Sequence, residues 1–201
     1  WEEAAAKDLA HYLAKMTGSE VALVHGKPQA TAGLTFLVGS LAVELNPQLG
    51  ERLRKAQKKE PVFRSDAIVM TNEAGRIYLA GSNDDSHYFA VSAFLHRQGC
   101  RWYLPTAIGE CLPKSETLST EGMDVVYAPP FEVRTYWISW VGDTTDYETF
   151  AHRNFYNLDR QAVGSHELGE LLPAAVAGQP LLLNSLETVK GFYQYATAAG
   201  Y

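Results

Sequence analysis

The sequence lacks the features that mark several large classes of protein. No apolar run approaches the roughly 20 residues that a helix needs to cross a bilayer, and no secretory signal stands at the front. The 17 basic residues are outnumbered by 23 acidic ones and interspersed with them, so we expect no basic face for a phosphate backbone. Gly39 and Gly81 belong to neither a dinucleotide-binding motif nor a P-loop. The sequence therefore argues against membrane, nucleic-acid and nucleotide partners.

Cysteine is scarce, and its two occurrences leave two interpretations open. Cys100 and Cys111 are close enough in sequence for a disulfide, which would stabilise the fold by roughly 3 kcal/mol on the chain-entropy view. Alternatively, Cys100 is a small buried side chain on a strand, and this second interpretation is favoured. Two cysteines do not show whether the protein folds in a reducing or in an oxidising compartment.

The composition is otherwise that of an ordinary globular protein. The 201 residues are 46% hydrophobic, enough to bury a good core in one or two domains. The chain begins at Trp1 rather than Met, which we expect to reflect processing or trimming.

The first helix and the first strands follow from local patterns. A buried stripe predicts a helix closed by Thr17 and Gly18; its members are Ala5, Leu9, Tyr12, Leu13 and Met16. Strands are predicted over 21–24 and 34–39, and a solvated helix or loop over 46–59. Two further strands, over 66–71 and 76–80, are joined by a hairpin with Gly75 at a positive φ.

A helix then leads into an aromatic strand. Its apolar face is predicted from Ala90, Val91, Phe94 and Leu95, with N-cap oxygens from residues 84–86 and a stop at Gly99. Residues 100–104 alternate as a half-buried strand that Pro105 ends. The order of elements predicts an α+β fold, with a mixed β-sheet and helices on one face.

The pair Pro129 and Pro130 predicts a domain border near residue 130, because two prolines force extended backbone and remove two donors. Beyond it we expect an aromatic strand over 132–140, a long polar connection over 143–159 and a helix over 186–196.

An ordered series of segments resembles one protein family. The segments are Ala4–Leu9, Lys15–Gly18, the strand end at Val38–Gly39, the Gly81 turn, Phe94–Leu95, Gly99–Pro105, Gly109–Glu110, Pro113–Lys114 and Pro130–Arg134. Together they are similar to the front end of the bacterial proteins grouped as domain of unknown function 4838. The N-terminal domain of that family is similar to that of α-glucuronidases and to hexosaminidase domain 2. The resemblance covers roughly residues 3 to 135 and continues more loosely beyond them.

The resemblance implies a carbohydrate-active protein that is located in the periplasm or the extracellular space. It also implies two domains with different roles. Residues 1–130 would be an accessory domain, and residues 131–201 the start of a (β/α)-barrel of the glycoside hydrolase type, acting on polysaccharide or oligosaccharide. Only 71 residues follow Pro130, whereas a complete barrel needs about 200 to 250, so we expect the barrel to be incomplete. The remainder of the barrel is then a partner, no cofactor is implied, and the 201-residue chain alone is expected to be inactive.

The resemblance also implies residues that bind the carbohydrate. These are Arg134, Trp137, Trp140, Arg153, Asn154 and His166. Trp137 and Trp140 could equally be core residues, and Arg134 could pair with a structural carboxylate as readily as with a uronic acid.

No catalytic residue is nominated, because the acid and base are expected on later barrel strands. The second-half acids in a plausible loop setting are favoured as solvated charges; they are Asp143, Asp146, Glu148, Asp159, Glu167 and Glu170. Residues 166–170 begin like the zinc motif H-E-x-x-H, but Glu170 stands where the second histidine belongs, so no metal site is predicted. The alternative function is a non-catalytic carbohydrate-binding or scaffolding module.

Overall fold

The computed structural model describes residues 1–28, 33–61, 64–73, 75–135 and 144–157. The helices are α1 (Glu2–Thr17), α2 (Ser40–Leu45), α3 (Pro47–Ala56), α4 (Asp84–Arg97) and α5 (Thr144–Arg153). The strands are β1 (Thr35–Val38), β2 (Ile68–Glu73), β3 (Arg76–Gly81), β4 (Arg101–Trp102), β5 (Glu110–Cys111) and β6 (Asp124–Tyr127), with a 3₁₀ turn at Ala107–Gly109.

Four strands form one mixed sheet in the order β1-β3-β2-β6. β1 runs parallel to β3, while β2 is antiparallel to both β3 and β6. The register places Val38 opposite Leu79 and Ile68 opposite both Gly81 and Tyr127. The mixed sheet predicted from the sequence is therefore present.

Helices cover both faces of this sheet, which corrects the prediction that they lie on one face. Ile68 and Ile77 pack towards α1 and α4 on one side, and Val69 and Tyr78 pack towards α2 and α3 on the other. Strands that are buried on both faces read as continuous apolar runs, as β2 and β3 do. The second helical layer was missed because α3 is mostly polar and buries only two of its residues, Leu49 and Leu53.

The two helices of the first layer form as their sequences predict. All five residues of the predicted stripe of α1 are buried, and Gly18 ends the helix at φ 71°. In α4 the N-cap is Asn83 rather than residues 84–86. Its side chain accepts from the Ser86 N–H while the Ser86 hydroxyl interacts with the Asn83 N–H, which completes a capping box.

The predicted strands form where the segment pairs with another strand of the sheet. The strand at 34–39 and the hairpin around Gly75, at φ 81°, are confirmed. The strand predicted over 21–24 is wrong, because those residues pair with no strand and leave Leu23 and Val24 exposed. β6, for which no strand was predicted, completes the sheet instead.

The aromatic strand is shorter than predicted, because β4 contains only Arg101 and Trp102 and pairs with β5. Trp102 is buried, as expected for a core residue. The two cysteines are not bridged: Cys111 is exposed, while Cys100 is buried with its thiol 3.2 Å from the Met16 sulfur. Burial raises the pKa of the Cys100 thiol to about 11, so this thiol stays protonated at neutral pH.

Several described residues after Pro130 contact Phe89 of α4; they are Arg134, His152 and Phe155. Residues 132–135 lie in no strand, and the rest of the predicted strand lies outside the described residues, as does the helix predicted over 186–196. The segment predicted as a polar connection contains α5, which buries Ala151 and joins α4 through a 3.2 Å bond from the Ser92 hydroxyl to the His152 carbonyl. The barrel assignment and the border at residue 130 stay predictions.

Gly81 is a point where the fold tolerates no side chain. A Cβ atom there would lie 2.1 Å from the backbone carbon of Ser86, because the end of β3 touches the first turn of α4. We expect Gly81→Ala to destabilise the protein by about 3 kcal/mol, since backbone must move to relieve the overlap. Gly33→Ala is the control, because its Cβ would meet nothing within 4 Å, and should stay within about 0.5 kcal/mol. Equal urea-unfolding free energies for the two variants would contradict the close approach.

Candidate functional site

Polar side chains lie together where the strands of the sheet end on one side, which we call this edge of the sheet. The carboxyl ends of β1, β3 and β6 meet the amino end of β2 at this edge, as the strand directions require. In α/β sheets the loops beyond the carboxyl ends of parallel strands are the usual place for ligand-binding groups. Asp66 and Arg64 precede β2, while Asn83 and Asp85 follow β3, so the topology itself brings them together.

Asp66 is the centre of this edge. Its side chain is 1% exposed and its carboxylate accepts from two guanidinium groups. Arg64 donates to Oδ1 at 3.0 and 2.8 Å, and Arg134 donates to Oδ2 at 2.7 Å. The Asn83 amide adds a third donor at 2.8 Å. A carboxylate buried to this extent is stable only when it is paired and hydrogen-bonded in this way.

Asp85 extends the cluster to α5. It accepts from Arg64 at 2.6 Å and faces His152 Nε2 at 2.8 Å. The other ring nitrogen of His152 lies 2.9 Å from the Glu148 carbonyl, so each ring nitrogen faces an oxygen acceptor. Burial alone would raise the pKa of Asp85, but the hydrogen bonds from His152 and Arg64 and their charges lower it to about 2.

A second cluster lies between α1, α4 and the end of α5. Arg153 binds Asp8 through two bonds, Nε to Oδ2 at 2.8 Å and Nη2 to Oδ1 at 3.0 Å. The Tyr88 hydroxyl also donates to Asp8. The guanidinium of Arg153 sits 5.1 Å from the Tyr12 ring centre and 5.6 Å from that of Trp102, within the range of cation–π attraction.

Burial raises the pKa of Tyr88 first of all, and the neighbouring Asp8 charge adds to the effect. The pKa of Arg153 is raised as well: burial opposes the charge, but the hydrogen bonds to Asp8 and the charge of Asp8 outweigh it. Tyr88 therefore stays a neutral donor and Arg153 a cation across the physiological range. The cluster is a fixed anchor rather than a proton-transfer site.

The structure places three of the six predicted carbohydrate-binding residues, and all three contact protein groups. Arg134 has a structural carboxylate, Asp66, which was one of its two predicted alternatives. Arg153 binds Asp8, and the Asn154 amide donates to the carbonyls of Phe150 and Trp102 at 2.9 and 3.2 Å. Trp137, Trp140 and His166 lie outside the described residues. Their role in binding carbohydrate stays a prediction.

Sequence reasoning missed the acids that receive these cations. Asp8 lies four residues before Tyr12, so a polar residue beside the apolar stripe of α1 was a usable signal. Asp66 lies two residues before the apolar strand β2, and this position was a weaker signal. Asp85 was predicted only as one of the possible N-cap residues of α4, and the packing of α5 gives it a partner in His152.

A serine, a histidine and an acid also meet at this edge, but not as a hydrolytic triad. The hydroxyl of Ser40 donates directly to Glu2, at 2.8 Å. His87 accepts the Gly81 N–H at its Nδ1 and points its Nε2 towards Glu2 at 3.9 Å. Burial lowers the pKa of His87, against the opposing charges of Glu2 and Asp84. The contacts therefore tie the turns together and link no nucleophile to a base.

The described residues contain no group of three or more His, Cys, Asp or Glu side chains placed to hold a metal ion. The zinc-like segment 166–170 lies outside them. Within this part of the chain, the chemistry of the clusters is that of ion pairing between its first and second halves.

The ion pairs of the buried Asp66 should contribute measurably to the free energy of unfolding. We expect Asp66→Asn to lower the free energy of unfolding by about 3 kcal/mol, because two partly buried guanidinium groups lose their counter-charge. Asp124→Asn is the matched control: its carboxylate is exposed and pairs with Arg52 at the surface, so its loss should cost less than about 1 kcal/mol. Urea denaturation of both variants checks this, and equal losses would show that Asp66 is not the central charge.

Acid should weaken the contacts that Asp85 makes with Arg64 and His152. Because its pKa is lowered on folding, the stability that Asp85 contributes is complete above about pH 4 and is lost as the pH falls towards 2. The wild-type protein should therefore lose its advantage over Asp85→Asn across that window, as measured by thermal unfolding at several pH values. A difference between the two proteins that stays constant from pH 5 to pH 2 would contradict this.

The described part of the chain contains no helix that is both long and apolar enough to cross a membrane. The sequence matches no protein-family model, no curated protein and no solved structure. Membership of the family that the motif series resembles is therefore a prediction that rests on those motifs.

Proposed function

We propose that this chain is part of a carbohydrate-active protein of the glycoside hydrolase type. Residues 1–130 act in it as a non-catalytic accessory domain that anchors the segment leading into the catalytic part. The carbohydrate assignment rests on the resemblance of the motif series to α-glucuronidase-like proteins. The accessory role rests on how the described polar groups are used.

One observation carries the accessory role. Each of three acids in the first half binds an arginine or histidine side chain from the second half: Asp66 binds Arg134, Asp85 binds His152, and Asp8 binds Arg153. Lys58 of the first half likewise binds Glu132. The pairs are spread along the contact between the halves, so the polar groups hold one part of the chain against the other.

Groups used in this way are poor candidates for glycoside hydrolysis. The reaction needs two carboxyl groups flanking an open scissile bond, about 5 to 10 Å apart, with one of them protonated near neutral pH. Asp85 is instead held ionised by His152 and Arg64, and the carboxylate of Asp66 is buried under its donors. These properties support anchoring and leave the chemistry to a part of the protein beyond these residues.

The same pairing also favours the second candidate function, a non-catalytic carbohydrate-binding or scaffolding module. A module of that kind needs a stable platform and no further catalytic part. The two candidates differ in whether the full-length protein turns over a glycoside.

The test measures hydrolysis and binding separately. Full-length protein and the 201-residue chain are each assayed against aryl glycosides and uronic-acid-capped oligosaccharides. We expect turnover by the full-length protein and none by the 201-residue chain, because the acid and base lie elsewhere. Binding without turnover by the full-length protein would favour the scaffolding module.

Two results would overturn the proposal. The absence of both binding and turnover in the full-length protein would remove the carbohydrate assignment. Turnover by the 201-residue chain at a rate equal to that of the full-length protein would remove the accessory role, because the reactive groups would then lie within it.

A further inference from the structure

Three large apolar side chains are exposed to solvent on the short loop between β4 and β5. Tyr103 is 69% exposed, Leu104 is 52% exposed and Ile108 is 85% exposed. Single exposed apolar residues are ordinary, but a group of them on one loop marks a surface that meets a partner. We refer to residues 103–108 as the apolar loop.

The backbone of the apolar loop is fixed. The Tyr103 N–H donates to the Gly109 carbonyl at 2.9 Å, and the Gly109 N–H donates to the Thr106 carbonyl at 2.9 Å. Gly109 approaches Leu104 so closely that a Cβ would lie 2.3 Å from the Leu104 nitrogen. Pro105 is buried beneath the turn. A loop held in this way presents its side chains without further ordering, which reduces the entropy lost on binding.

The apolar loop adjoins the contact between α5 and the first half of the chain. Trp102, the residue before the loop, accepts a hydrogen bond from the Asn154 amide at its carbonyl, at 3.2 Å. The guanidinium of Arg153 lies 5.6 Å from the Trp102 ring centre. The end of α5 therefore reaches the base of the loop. The chain then runs on to Asn157, which binds the carbonyls of Arg134 and Glu132, and the 44 residues from 158 to 201 follow it in sequence.

We propose that the apolar loop is the docking surface for residues 158–201 of the same chain. The surface continues an interface that α5 already makes, and the segment carries apolar runs at 171–172 and 181–183 that can supply the partner side chains. This extends the proposed anchoring role by naming where the rest of the chain binds. It does not depend on carbohydrate binding, so the two proposals fail separately.

The direct test is a photo-cross-link in the intact 201-residue chain. The photoreactive residue p-benzoylphenylalanine replaces Ile108 in one protein and Val24, which is also strongly exposed, in the control. After irradiation at low protein concentration, mass spectrometry should map intramolecular cross-links from position 108 to peptides within 158–201 and none from position 24. Cross-links between two copies, or none to that segment, would overturn the proposal.

Limited proteolysis gives an independent readout. Ile108→Ser should speed cleavage within residues 158–201 roughly tenfold, because loss of one buried aliphatic contact weakens docking by about one order of magnitude. Val24→Ser should leave the cleavage rate unchanged. An unchanged melting temperature of either variant shows that the fold is intact. Equal cleavage rates in the two variants would overturn the proposal.

Discussion

A buried carboxylate is the charge on which the arrangement of this chain depends. Asp66 sits at the amino end of a strand that is buried on both faces, and water does not reach its side chain. Its charge is stable there only because Arg64, Asn83 and Arg134 surround it. Arg134 lies beyond the proposed domain border. The buried charge of Asp66 therefore requires the second half of the chain to pack against the amino end of β2.

The other contacts between the halves follow the same logic. Asp85 shares Arg64 with Asp66 and also binds His152, which makes the sheet edge and α5 parts of one network. Asp8 and Arg153 form a separate anchor at the same end of α5, one residue beyond His152. Charges coupled in this way favour one geometry over others, because a shift of α5 would leave several partly buried groups unpaired at once.

This use of polar groups shapes the functional conclusion. Acidic, basic and aromatic residues close together can suggest a reactive site, yet here each acid of the two clusters is held by an internal cation or hydroxyl. A platform of this kind suits a domain that positions other parts of a protein. The exposed apolar loop beside the second anchor fits the same role, since it offers a ready surface next to an interface already formed.

Local patterns in the sequence were enough to predict α1, the hairpin around Gly75 and the body of α4, because periodic burial and glycine geometry act over a few residues. They did not predict α3 as part of a second layer, the pairing of β6, or α5, where packing against distant residues decides the outcome. Arg134 shows the difference most clearly. Its sequence position indicated a buried cation in need of a carboxylate, but the identity of that carboxylate, Asp66, depends on a contact 68 residues away. Charge pairing over such a separation depends on how the helices and the sheet pack together. Local sequence patterns do not show which distant residues this packing brings into contact.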